Sequence, residues 1–151
     1  MTSLPPHQLL VLCIDDDVTG LIVRKALLEM SGFAVLIASD GPAGLAIAEE
    51  QPIDAVILDY EMPGMNGEEV ARNLREQHCE APILLFSGAL EALPDSLRKV
   101  CNSFLAKCEG PTRLIAEVEK LTFRRRMSSG SNKSNGCPTW APAKILLALP
   151  A

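Results

Sequence analysis

The chain has 151 residues, 48% hydrophobic, 22% charged and only 4% aromatic, with a formal net charge of −5. That length carries one ordinary domain with a real core and excludes two. All 19 acidic residues lie before residue 124, while 124–151 holds five basic residues and no acid. A body this acidic repels nucleic-acid phosphates, which excludes direct DNA binding by the folded part.

Strand and helix signals alternate five times. The strand candidates are residues 9–14, 34–38, 54–59, 82–87 and 103–107, most of them continuous apolar runs, as in parallel strands covered on both faces. The first helix, over 18–31, places Val23, Ala26, Leu27 and Met30 on one stripe, with Gly32 at its C-terminal cap. The second, over 41–50, is capped by Asp40 with Pro42 in its first turn. The third, over 67–78, has Asn66 as cap and Glu69 three residues on. A fourth is expected near 90–101, interrupted by Pro94, with its stripe at Leu93, Leu97, Val100 and Cys101. The fifth, over 111–124, opens with Pro111 and buries Leu114, Val118 and Leu121. From Ser128 the chain is rich in Ser, Asn, Gly and Pro and reads as a disordered tail, with a final apolar "ILLALP" of no evident purpose. The organisation is thus an N-terminal extension (1–8), a domain (9–124) and a tail (125–151).

Cysteines 13, 79, 101, 108 and 137 form neither a CxxC pair nor a metal-ligand spacing. With no secretory signal evident, they read as free thiols of a reducing cytoplasm. No apolar run reaches membrane-span length, so no membrane contact is expected. His7 and His78 have no partners at ligand spacing, Trp140 has no assigned role, and Arg124–Arg126 read as a solvated run.

Five β-α units imply a doubly wound parallel sheet with its ligand site beyond the carboxyl ends of the strands. Those ends carry Asp15, Asp16 and Asp17, then Asp59, Ser87 and Lys107. Singly, these are a helix cap, a loop acid and a surface lysine; together they meet at one sheet edge. Carboxylates crowded there repel one another, and a hard divalent cation such as Mg²⁺ is the natural compensation. With a lysine and a hydroxyl beside it, such a site suits phosphoryl transfer to a carboxylate.

The stretches "CIDDD" (13–17), "VILDYEMPGMNG" (56–67), "LLFSGA" (84–89) and "FLAK" (104–107) together resemble the receiver domain of two-component response regulators over residues 9–123. The resemblance implies a flavodoxin-like strand order 2-1-3-4-5 with helices on both faces. It implies Asp59 as phosphoacceptor, and Asp15, Asp16, Asp59 and the backbone carbonyl of Glu61 as Mg²⁺ ligands, Asp15 through water. Ser87 would be the switch hydroxyl, Lys107 the phosphoryl-pairing lysine and Phe104 the aromatic that turns inward. Pro63, Gly64 and Gly67 would fold the loop back over the site, and Gly88 would leave it open. Implied partners are a histidine kinase or phosphotransfer protein as donor, and an effector protein or second copy as recipient. The face of the fourth helix, fifth strand and fifth helix would be remodelled. With no output domain evident after the fifth helix, a stand-alone cytoplasmic receiver, or else a piece of something larger, is expected, a phosphoacceptor with at most self-catalysed turnover rather than an enzyme. Cys108 departs from the family's usual proline after the lysine, and a cis bond there would cost about 2.5–4 kcal/mol.

Two rivals remain at this stage. Asp15, Asp17 and Thr19 also satisfy the D-x-D-x-T motif of haloacid-dehalogenase-type phosphatases, which would make Asp15 the nucleophile. A receiver-like module that binds partners without phosphorylation is the other.

Overall fold

Apolar runs that pair on both edges must be covered on both faces, and this constraint organises residues 8–129, which the computed structural model describes. The elements are β1 (Leu10–Ile14), α1 (Val18–Met30), β2 (Ala34–Ala38), α2 (Gly41–Glu50), β3 (Ala55–Leu58), α3 (Gly67–Glu76), β4 (Ile83–Ser87), β5 (Ser103–Ala106) and α4 (Pro111–Ser129). Short 3₁₀ turns occupy Leu90–Ala92, Asp95–Lys99 and Lys107–Glu109. The strands form one parallel sheet in the order β2-β1-β3-β4-β5. This is the expected flavodoxin-like fold.

Alternation along each strand divides the core in two. Leu10, Leu12 and Ile14, with Val56, Leu58, Ile83 and Leu85, pack against Val70, Ala71 and Leu74 of α3 and the flank of α2. Val11 and Cys13, with Ala55, Ile57, Leu84 and Phe86, pack against α1 and α4 through Leu21, Leu28, Leu114, Val118 and Leu121. Each fully buried Leu, Ile or Val contributes about 1.5–3 kcal/mol.

The caps are where the sequence places them. Asp40 accepts the Ala43 amide at 2.8 Å, and Asn66 the Glu69 amide at 3.0 Å. Gly32, at φ +96°, follows α1 in the left-handed region that glycine tolerates.

Three expectations are corrected. In α1 the buried stripe is Leu21, Arg24 and Leu28; Val23 and Met30 are exposed. A charged residue in the middle of the inward face disguised the true period. Residues 90–101 form two 3₁₀ turns rather than an α-helix. Pro94, at ψ 144°, is extended and cannot donate, so it splits the segment. The apolar positions were still read correctly: Leu97 and Cys101 are buried, with Leu93 and Val100 against them. Finally, α4 runs five residues past 124, to Ser129. Arg125, read as part of a solvated run, turns back to donate to the Ile53 carbonyl at 2.6 Å beside Asp54. The N-terminal extension and the disordered tail expected for residues 1–7 and 130–151, with His7, Cys137 and Trp140, lie outside the described residues.

Arg75 of α3 braces the segment that lacks a helix. Its guanidinium donates to the carbonyls of Cys79, Ala81 and Val100 and to Asn102 Oδ1, at 2.7–3.2 Å. After Lys107 the chain turns through Cys108 and Glu109, whose carboxylate accepts the Ala106 amide at 2.8 Å. No cis peptide occurs among the described residues, in keeping with the loss of proline at 108.

The loop after β3 closes through the Gly67 amide, which donates to the Tyr60 carbonyl at 2.9 Å. A Cβ on Gly67 would lie 2.5 Å from the Asp59 carbonyl oxygen and 2.7 Å from the Tyr60 Cα, both backbone atoms that cannot step aside alone. Gly67→Ala is therefore expected to destabilise the domain by about 1–3 kcal/mol, read as a lowered thermal midpoint.

Candidate functional site

The strand order reverses between β1 and β3, and Asp15 and Asp59 are the residues that leave these two strands. Backbone bonds set them side by side: the Asp15 amide donates to the Ala38 carbonyl at 3.1 Å, and the Asp59 amide to the Ile14 carbonyl at 2.9 Å. Ser87 ends β4 opposite Ala106 of β5, so Lys107 emerges next to it.

Lys107 ties these ends together. Its ammonium lies 3.0 Å from Asp15 Oδ2 and 3.3 Å from Asp59 Oδ1. Asp15 is wholly buried, and its other oxygen accepts the Asp17 amide at 3.0 Å. Arg24 supplies a second cation to Asp15 Oδ2, at 3.1 Å, while its guanidinium carbon lies 4.8 Å from the centre of the Phe86 ring. Sequence reading missed Arg24. The one available signal was a basic residue two helical turns after an acidic cluster, three residues from Leu21 and four from Leu28.

The two buried carboxylates are pushed in opposite directions. For Asp15, burial favours the neutral acid, but the Asp17 amide, Lys107 and Arg24 outweigh it and hold the pKa below the ordinary value. For Asp59, burial and then the neighbouring Asp15 charge prevail over Lys107 and raise the pKa to about 6. Burial also works against the Lys107 ammonium, yet its bonds to the two carboxylates leave its pKa raised.

Asp15, Asp16 and Asp59 can each offer a carboxylate oxygen such that all three lie within 4.8 Å of one another. An all-oxygen donor set of this kind fits Mg²⁺, which takes few carboxylates and keeps several waters. The raised Asp59 pKa, due first to burial and then to the neighbouring Asp15 charge, marks a carboxylate that a nearby cation would stabilise in its ionised form. Asp16 is exposed at the rim, and so is Glu61, two residues past Asp59. The buried Ser87 hydroxyl accepts the Ala89 amide at 3.3 Å, and above it Gly88 faces open space. Phe104 stands apart from the acids, half-buried beside a cavity of about 450 Å³ that Leu90, Leu93, Pro94 and Arg98 also line. Cys13 is buried with its thiol pushed up to about 12, chiefly by burial, and is an inert part of the core.

The phosphatase alternative loses its nucleophile in this arrangement. Asp15 has no exposed surface and both oxygens engaged, while Asp17 and Thr19 point to solvent.

The opposed carboxylates have a measurable consequence. Asp59 is harder to ionise folded than unfolded, so its ionisation lowers stability as pH rises from about 4 through about 6. Asp59→Asn is expected to stabilise the metal-free protein by about 1–3 kcal/mol at pH 7.5, with the gain vanishing near pH 4. Thermal melts in EDTA across that range would check it.

Comparison with known proteins gives the same answer as the geometry. A family profile described as the response regulator receiver domain matches residues 11–119. Among curated proteins, the transcriptional regulatory protein CpxR of Escherichia coli K12 is 31% identical over 85% of this chain and 56% of its own length. PrrA of Mycobacterium bovis is 34% identical over 82% of this chain and 54% of its own. The chain thus spans about half the length of these relatives. Among solved structures, the Francisella response regulator 1452 receiver domain superposes with a TM-score of 0.72 at 26% identity, covering 78% of this chain and 99% of that one. Thermotoga maritima TrrA, solved in complex with Mg²⁺ and BeF, gives 0.71 at 28% identity over 76% and 99%. A profile spanning most of the described domain makes this chain a member of the response regulator receiver-domain family.

Proposed function

We propose that the domain accepts a phosphoryl group on Asp59 and converts it into a change of surface. The observation that carries this reading is the contrast between the two buried carboxylates. Asp15 is committed to three donors, whereas among the described residues the one cation paired with Asp59 is Lys107, at a single oxygen, which leaves Asp59 the freer carboxylate to act as a nucleophile.

In this reading Asp15, Asp16, Asp59 and the Glu61 carbonyl hold Mg²⁺, with Asp15 acting through a water. Bound there, the ion would neutralise charge on the transferring oxygens and keep Asp59 ionised at neutral pH. An Asp59 carboxylate oxygen attacks phosphorus in a phosphohistidine or a small acyl phosphate. The new P–O bond forms as the bond to the histidine nitrogen or acyl oxygen breaks, and the leaving group takes that electron pair. Lys107, already within reach of Asp59, pairs with the phosphoryl oxygens. Ser87 then turns its hydroxyl from the Ala89 amide toward the new anion, and Phe104 follows into the space beside Leu90 and Leu93. Glu61 and Ala89 flank the path of hydrolytic water.

Donors are a histidine kinase or phosphotransfer protein, and output runs through a protein contact on the surface of residues 89–106 and α4. The curated relatives named above are transcriptional regulators about one and a half times this length, so the expectation of no DNA contact concerns the acidic domain alone. Among the described residues no helix is long and apolar enough to cross a membrane.

Intact-mass analysis after incubation with acetyl phosphate and Mg²⁺ tests the reading. One labile phosphoryl adduct is expected in wild type and none in Asp59→Asn or in EDTA. No adduct and no Mg²⁺ binding by a folded protein would instead favour a module that works without phosphorylation. The Ser87→Ala variant should still accept the group but lose the response. Hydrogen exchange over residues 88–106 should change on adding beryllofluoride and Mg²⁺ to wild type and stay unchanged in the variant.

A further inference from the structure

Arg24 is out of place by the ordinary rules of helix burial. It sits in the inward stripe of α1 between Leu21 and Leu28, with only 8% of its side chain exposed. A guanidinium in that position is tolerated because Asp15 Oδ2 and the Phe86 ring receive it, the latter giving a cation–π contact.

Asp15 Oδ2 is thereby shared by two cations of different freedom. Lys107 is a flexible ammonium, one-third exposed, that also reaches Asp59. Arg24 is enclosed by the core and reaches Asp15 alone among the acids. If Lys107 leaves for a phosphoryl group, Asp15 would be a buried carboxylate without a counter-ion, a costly state. Arg24 removes that cost. It also places a permanent positive charge against an acid that Mg²⁺ must share.

We propose that Arg24 is a positioning residue that holds Asp15 aligned while its charge weakens the hold of the acidic site on Mg²⁺, so that this one charge sets how readily the metal enters and leaves. The proposal rests on the reading of Asp15, Asp16 and Asp59 as the metal site. It separates the charge of Arg24 from its hydrogen bond: the bond aligns Asp15, and the charge opposes the cation.

Calorimetric titration with MgCl₂, alongside thermal melts in EDTA, separates these roles in wild type, Arg24→Gln, Arg24→Met and Arg24→Lys. Removing one unit charge at this range should tighten Mg²⁺ binding about three- to thirty-fold in the Gln and Met variants. The Lys variant, which keeps the charge, should stay within about two-fold of wild type. A merely structural arginine would lower the melting temperature and leave Mg²⁺ affinity alone, so a folded Gln variant with unchanged or weaker binding overturns the proposal. Should the neutral variants unfold in EDTA, refolding by Mg²⁺ below the wild-type dissociation constant supports it, and failure to refold at saturating Mg²⁺ overturns it. Absence of Mg²⁺ binding in wild type and all variants would overturn the metal site itself, a different result from wild-type binding that Arg24→Gln does not alter.

Discussion

Asp15 leaves β1 as a fully buried carboxylate with donors on both oxygens. Through it the Asp17 amide fixes the start of α1, Arg24 fixes the helix onto the sheet, and Lys107 draws in the end of β5. Both the start and the middle of α1 and the distant end of β5 are thus pinned to one group. Removing a single partner from a buried ion pair of this kind typically costs about 3–5 kcal/mol, because the charge left behind stays out of water. Hydrophobic packing forms the sheet, but this carboxylate decides how its upper edge is arranged.

That arrangement creates inequality between two acids on adjacent strands. The donors crowd onto Asp15, so Asp59 is the carboxylate whose charge remains poorly compensated. A group in that condition attracts cations. The loop that follows must then stay clear of it, and Gly67, backed onto the Asp59 carbonyl, is how the chain manages that.

Much of this was legible in the residues because it rests on short-range rules. Continuous apolar runs announced parallel strands, Asp40 and Asn66 announced caps, and strand ends announced which side chains would meet. What escaped were the long-range polar contacts. The Arg24 charge broke the apparent stripe of α1, and only the buried partner Asp15 explains its place. Arg125 looked solvated because its acceptor, the Ile53 carbonyl, lies 72 residues away. Residues 90–101 had the right apolar spacing, yet Pro94 denied the backbone a continuous helix, and Arg75 supplied the missing anchorage from another element. Periodicity reports which side chains point inward; it does not report which backbone carries them.

The clamp made by Arg75 also has a mechanical meaning. Between Ser87 and Val100 the backbone is held by isolated turn bonds, such as Leu93 to Leu90 and Leu97 to Pro94, rather than by a cooperative helical ladder. Such a stretch can exchange one arrangement for another by breaking a few bonds at a time, with no helix to unwind first. At Val100 that ease stops, because the carbonyl there and Asn102 next to β5 are both held by the same guanidinium. The segment is therefore a tether: loosely held from Ser87 onward by single turn bonds, and fastened beside β5 by one guanidinium.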